Sequence, residues 1–147
     1  SDGYLAITDR KKDLIVTAGG KNVAPQPIEN RLKTNPYINE IVLVGNRRSF
    51  VSALVVPDFD RLKAWARGEG LAVDSREDLI KHSEVIRFVH QQIDEMTSDL
   101  AQFERLKKVL LLKEEFSIEG GELTPTLKVK RNVIESRYKN LIDQLYA

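Results

Sequence analysis

The stretch IVLVGNRRSFVSALVVP, residues 41–57, constrains this chain more than any other. Ile41 to Val44 and Phe50 to Val56 are two apolar, β-branched runs separated by a turn through Asn46 to Ser49. Runs of that kind, so close in sequence, satisfy their backbone groups by pairing as a hairpin. This hairpin is the core sheet, and the remaining elements must pack on it. Upstream, Tyr4 to Thr8 and Leu14 to Thr17 read as two short strands around the charged DRKKD, with Gly19-Gly20 ending the second. Pro25 and Pro27 then open PIENRLKTNP, where Ile28 and Leu32 stand four apart and Pro36 forces a stop, so a short amphipathic helix is expected.

From Asp58 the pattern is helical. Leu62, Trp65 and Ala66 share a face as far as Gly68 and Gly70, and Ser75 stands at capping-box spacing from Asp78, ahead of Leu79 and Ile80. Val85, Val89, Ile93, Met96, Leu100 and Phe103 repeat every three to four residues, which predicts one long helix packed by that stripe. KVLLLKEEF returns to strand character, SIEGGELTPTLK is a loop, and Val133, Tyr138, Leu141 and Leu145 mark a terminal helix. The fold class expected is α+β, a small antiparallel sheet and hairpins packed with helices, forming one domain.

The function must be local in charge. With 23 Lys+Arg against 22 Asp+Glu, a formal net charge of +1 argues against a whole-protein footprint for nucleic acid or anionic membrane. The absence of cysteine excludes disulfide and thiolate chemistry. No apolar run approaches the roughly 20 residues that span a bilayer, and the start carries no signal-peptide apolar region, so the cytoplasm is the expected location. Asp2-Gly3 is a hairpin-turn dipeptide with nothing before it to pair, which suggests a chain cut from a larger one.

Two lysine-bearing loops stand apart from the core pattern: DRKKD, and LTPTLKVKR, where Lys128 follows Thr124, Pro125 and Thr126 just before the last helix. Each read alone is a solvated turn or a helix entry with incidental lysines. His82 and His90, eight apart, lack metal-ligand spacing and read as surface or interhelical packing; Trp65 reads as core. Glu114-Glu115 and Asp94-Glu95 read as solvated charges, as do Lys130 and Arg131. No metal site is expected.

Taken together, DGYLAITDRKKDLIVTAGGKNVAP, the IE three positions on, and LTPTLKVKR resemble the C-terminal domain of the adenylate-forming acyl-CoA synthetases, in the long-chain fatty-acid ligase branch. The resemblance is strongest over residues 2–56 and 105–134. It implies a single C-terminal lid domain over residues 1–147, with residues 58–98 a helical insertion, and an N-terminal nucleotide- and acyl-binding domain as partner. In such enzymes a carboxylate and ATP give acyl-AMP and pyrophosphate, and the lid then turns so that coenzyme A takes the acyl group. The substrates implied are a fatty acid, ATP and coenzyme A, with Mg2+ accompanying ATP on the large domain.

By the same resemblance Lys128 corresponds to the catalytic adenylation lysine and Lys12 to the hinge. Arg10 corresponds to a ribose-contacting arginine, Lys21 to a basic residue near phosphate or coenzyme A, and Gly19 and Gly20 to the loop beside the pantetheine tunnel. The phosphate-binding loop and the adenine and acyl pockets are absent from this sequence, so the chain alone is expected neither to hold ATP tightly nor to turn over. Two other readings stay open: a stand-alone basic-loop binding or regulatory module, and the lid of a ligase that acylates a carrier-protein thiol. Peripheral membrane association of the whole enzyme also stays open.

Overall fold

The computed structural model describes residues 14–117, 119–121, 123 and 130–146. The first strand expected of the N-terminal hairpin, Tyr4 to Thr8, lies outside them. Within the expected second strand, Leu14 to Thr17, Ile15 and Val16 form a strand, and its described partner lies beyond the glycines. Strand β1 (Ile15–Val16) pairs antiparallel with β2 (Asn22–Val23), Ile15 opposite Val23, across a turn that holds both glycines. Gly20 sits at φ +82°, a left-handed conformation that a side chain resists. Helix α1 (Pro25–Leu32) begins on its proline, as prolines at the first helical position allow, and turns Ile28 and Leu32 into the core.

The main sheet has the order β3 (Ile38–Val44), β4 (Val51–Pro57), β5 (Leu106–Leu111). β3 and β4 form the expected antiparallel hairpin, with Leu43 opposite Ala53. β5 pairs with β4 in parallel, Ala53 opposite Val109, so the sheet is mixed and not wholly antiparallel. A parallel partner needs a crossover rather than a tight turn. Residues 59–96 supply one through α2 (Phe59–Gly68), α3 (Arg76–Lys81) and α4 (Ser83–Met96). β4 lies between its neighbours with all seven of its residues buried.

The crossover helices start where their caps dictate. Asp58 accepts from the Arg61 N–H at 3.2 Å and Ser75 from the Asp78 N–H at 3.1 Å. His82 accepts from the Glu84 N–H at 3.2 Å, which makes it a cap. Leu62, Leu79, Val85, Val89 and Ile93 are fully or almost fully buried, and each buried aliphatic side chain of this size stabilises by about 1.5–3 kcal/mol. Trp65 is half-buried and stacks on Phe88 with ring centroids 3.8 Å apart.

The long helix is shorter than its apolar stripe. It stops at Met96 because the buried Thr97 hydroxyl donates back to the Ile93 carbonyl at 2.8 Å and the chain turns. Leu100 and Phe103 therefore leave the helix, and Phe103 stands exposed in a single 3₁₀ turn, Gln102–Glu104. The terminal helix is likewise two, α5 (Arg131–Arg137) and α6 (Lys139–Leu145), joined at Tyr138. Its buried positions are Ile134 and Ile142, not Val133 and Leu141, because the face that meets the sheet runs Ile134, Tyr138, Ile142, Tyr146 at every fourth residue. The Tyr146 hydroxyl closes this face by donating to the Phe50 carbonyl at 2.8 Å. Among the described residues no helix is long and apolar enough to cross a membrane.

Candidate functional site

The glycine turn is held from beneath and open above. Thr17 braces it: its N–H donates to the Lys21 carbonyl at 2.9 Å, and its hydroxyl accepts from the Lys21 N–H at 3.2 Å. The turn is also tied to the loop of the main hairpin, where the Ala18 N–H donates to the Arg48 carbonyl at 2.8 Å and the Arg47 N–H to the Val16 carbonyl at 2.7 Å. Arg48 passes the connection on to α6 through an ion pair with Asp143 and a cation–π contact 4.9 Å from the Tyr146 ring. The Arg48 hydrogen bond holds the Asp143 carboxyl below the usual carboxylate range.

Above the turn lies a shallow groove of about 270 Å³, lined by Thr17, Gly19, Lys21, Phe50, Phe103 and Lys107 among others. A Cβ built on Gly19 would meet nothing within 4 Å among the described residues, so their packing does not require glycine there. The Lys21 ammonium stands 5.6 Å from the centre of the exposed Phe103 ring. The structure thus brings Gly19 and Lys21 to one groove and adds Phe103, which by sequence pattern belongs to a helix stripe, and Lys107 of β5.

Lys128, Lys12 and Arg10 lie outside the described residues, but both flanks of the segment that carries Lys128 are described. On one side Leu123 is buried and its N–H donates to the Ser117 carbonyl at 3.2 Å. Gly120 is held there too, its N–H donating to the Ser117 hydroxyl at 2.8 Å and its carbonyl accepting from Arg137 at 2.8 Å. On the other side stands Arg131, and here the sequence reading is corrected: the side chain is 13% exposed and faces inward.

Arg131 grips Glu29 with both arms of its guanidinium, Nη1 to Oε2 at 2.8 Å and Nη2 to Oε1 at 3.1 Å. Its Nη1 also donates to the Leu43 carbonyl at 2.8 Å, while the Leu43 N–H donates to Glu29 Oε2 at 2.7 Å. Leu43 is on β3, which is an edge strand among the described residues, and its outward N–H and carbonyl are met by side chains. A signal for this was present at Glu29, a charged residue beside the buried Ile28, since a buried charge demands a partner. The partner is 102 residues away, which no local pattern reveals.

The histidines take more specific places than surface or interhelical packing: His82 caps α4, and His90 Nε2 sits 3.0 Å from the Leu106 carbonyl of β5. Among the described residues no group of three or more His, Asp or Glu side chains is placed to hold a metal ion.

Comparison with known proteins places this arrangement. The AMP-binding enzyme C-terminal domain family matches residues 12–147. The long-chain-fatty-acid–CoA ligase FadD15 of Mycobacterium tuberculosis is 37% identical over 146 residues, covering 99% of this chain and 24% of that protein. The human long-chain-fatty-acid–CoA ligase ACSBG1 is 38% identical over 166 residues, covering 99% of this chain and 23% of that protein. The chain thus spans about a quarter of the length of the curated relatives it matches. In fold it resembles the A domain of a carboxylic acid reductase from Segniliparus rugosus, solved with AMP and a carboxylic acid: the TM-score is 0.76 at 22% identity, over 93% of this chain and 20% of that one. A Mycobacterium tuberculosis fatty acyl CoA synthetase superposes with a TM-score of 0.53 at 23% identity, over 88% of this chain and 20% of that one.

Proposed function

Because the chain belongs to the AMP-binding enzyme C-terminal domain family, we propose that it is the mobile lid of a long-chain fatty-acid–CoA ligase and serves both half-reactions. In the first, the fatty-acid carboxylate attacks the α-phosphate of ATP, giving acyl-AMP and pyrophosphate. In the second, the thiol of coenzyme A attacks the acyl carbon and AMP leaves. Mg2+ accompanies ATP on the large domain.

In the first half-reaction Lys128 enters the cleft and neutralises charge gathering on the carboxylate and α-phosphate oxygens. A preorganised cation in a water-poor site is worth a few kcal/mol at this point, and lysine provides a compact point charge. Arg10 meets the ribose. The lid pivots at Lys12, as a hinge must at a position where φ and ψ change between the two orientations. In the second orientation the Gly19-Gly20 turn lies along the pantetheine path and Lys21 meets phosphate.

The observation that carries this reading is the braced glycine turn: Thr17 and Arg48 hold it, and among the described residues nothing lies within 4 Å of a Cβ built on Gly19. The described residues that flank Lys128, Leu123 and Arg131, are both seated in the core. Coenzyme A is favoured over a carrier-protein thiol by the curated relatives at 37% and 38% identity, which are named as CoA ligases. A stand-alone binding module would have no use for a family match over residues 12–147.

The test is Lys128→Ala in the full-length ligase, with acyl-AMP formation from ATP and thioester formation from supplied acyl-AMP assayed separately. The first falls by about 10²-fold or more, as loss of one transition-state contact does, while the second is retained. If both survive, Lys128 is not the adenylation lysine.

A further inference from the structure

We propose that Arg48 is a positioning residue for the thioester half-reaction, holding the Gly19-Gly20 turn where coenzyme A must pass it; this rests on the proposed role of that turn beside the pantetheine path. The hairpin that carries the turn has two residues in each strand. That is too few to fix its own position, since a two-stranded hairpin alone is marginal at best. Ile15 and Val23 seat its base in the core. Its tip is placed from the side, where Val16 and Ala18 turn backbone groups onto the loop of the main hairpin. The Val16 N–H donates to Asn46 Oδ1 at 3.2 Å, the Arg47 N–H to the Val16 carbonyl at 2.7 Å, and the Ala18 N–H to the Arg48 carbonyl at 2.8 Å. The last of these bonds stands directly before Gly19.

The loop needs support of its own. Arg47 sits at φ +63°, a left-handed conformation that a residue other than glycine keeps only where its surroundings impose it. Here the end of α6 imposes it. The Tyr146 hydroxyl donates to the Phe50 carbonyl at 2.8 Å and stands 3.3 Å from that of Val44, so it holds both ends of the loop. Arg48 lays its guanidinium 4.9 Å from the centre of the same ring and pairs with Asp143. Its backbone therefore holds the turn while its side chain holds α6. The Arg48 and Asp143 side chains are 36% and 42% exposed, and an ion pair so open to water adds little to stability. What it fixes is direction, and a displacement of 1 Å where a substrate must be aligned can cost about 10²-fold in rate. The turn acts in the second orientation only, so the effect falls on one half-reaction.

The full-length ligase carrying Arg48→Met, which keeps an apolar stem and loses the pair with Asp143, separates this from a merely structural role. Amide hydrogen exchange in the peptide spanning residues 14–21 should quicken by about tenfold or more. With supplied acyl-AMP, kcat/KM for coenzyme A should fall by about 10- to 10²-fold, while acyl-AMP formation from ATP stays within about threefold. Arg48→Lys, which keeps the charge but loses the planar fork, lies between. Asp143→Asn serves if the methionine variant does not fold, and shows the same split. Unchanged exchange, equal losses in both half-reactions, or no loss in the thioester step overturns the proposal. Gly19→Ala runs beside these: if it slows thioester formation while Arg48→Met does not, only the positioning role fails. If Gly19→Ala leaves thioester formation intact, the reading of the turn fails and the positioning role with it.

Discussion

Replacing Arg131 by methionine should cost this domain far more than a surface ion pair would. Glu29 and Arg131 side chains are 11% and 13% exposed, so removing the guanidinium strands a carboxylate where water cannot reach it well. Breaking a buried pair in this way costs about 3–5 kcal/mol. At 147 residues each kcal/mol lowers Tm by roughly 3–4 °C, so a fall of about 10–20 °C is expected. The cause can be isolated with a double-mutant cycle, using Glu29→Leu as the second arm. Glu29→Leu alone takes the carboxylate from the guanidinium and leaves the Leu43 N–H without its acceptor, at a similar cost. Together the two substitutions remove both charges, and the remaining loss is that of the unpaired Leu43 backbone groups, about 1–3 kcal/mol each and partly offset by the apolar side chains. The double variant should be more stable than either single one, with a coupling of at least about 3 kcal/mol in urea melts at pH 7. An Arg131→Met loss below about 1 kcal/mol, or additive losses, would refute the claim that this pair is buried and mutually dependent.

Other perturbations probe the glycine turn and the elements that hold it. Gly45→Ala places a Cβ 2.9 Å from the Phe50 carbonyl and 3.1 Å from the Val51 Cα at a φ of +150°, and should cost at least about 2 kcal/mol in chemical denaturation. Gly20→Ala, at φ +82° in open space, should cost about 1–2 kcal/mol. Gly19→Ala should leave stability within about 0.5 kcal/mol yet slow thioester formation in the full-length ligase; unchanged thioester kinetics would sink the pantetheine role of that turn. Burial pushes the Tyr146 hydroxyl above its ordinary value of 10.0. A raised value means the native state holds this proton more tightly, so the contribution is complete below pH 10 and is lost as pH rises through the native value. Tyr146→Phe should flatten that alkaline fall in a pH series of melts, while costing about 1 kcal/mol at neutral pH through the lost bond to the Phe50 carbonyl.

Local pattern by itself determined the central hairpin, the short helix opened by Pro25, the helical start after Asp58 and the cap at Ser75, while the family was legible only as a resemblance of the lysine-bearing motifs. These are properties of neighbours in sequence: β-branched runs, a proline at a helix start, a side chain reaching two or three residues along. Tertiary structure decided what depends on distant partners. β5 is parallel because three helices carry the chain across the sheet before it returns. The long helix ends early because the Thr97 hydroxyl turns back on it, and the stripe of apolar residues continues past that point without the helix. The buried face of the last two helices is set by where Tyr146 reaches the hairpin, which selects Ile134 and Ile142 over the equally apolar Val133 and Leu141. Arg131 looked like one more solvated cation in a basic run. Only the fold brings Glu29, across 102 residues of chain, and the Leu43 carbonyl to it and turns a surface charge into an anchor, because a carboxylate and a backbone carbonyl in the interior must be satisfied by whatever donor the fold brings there.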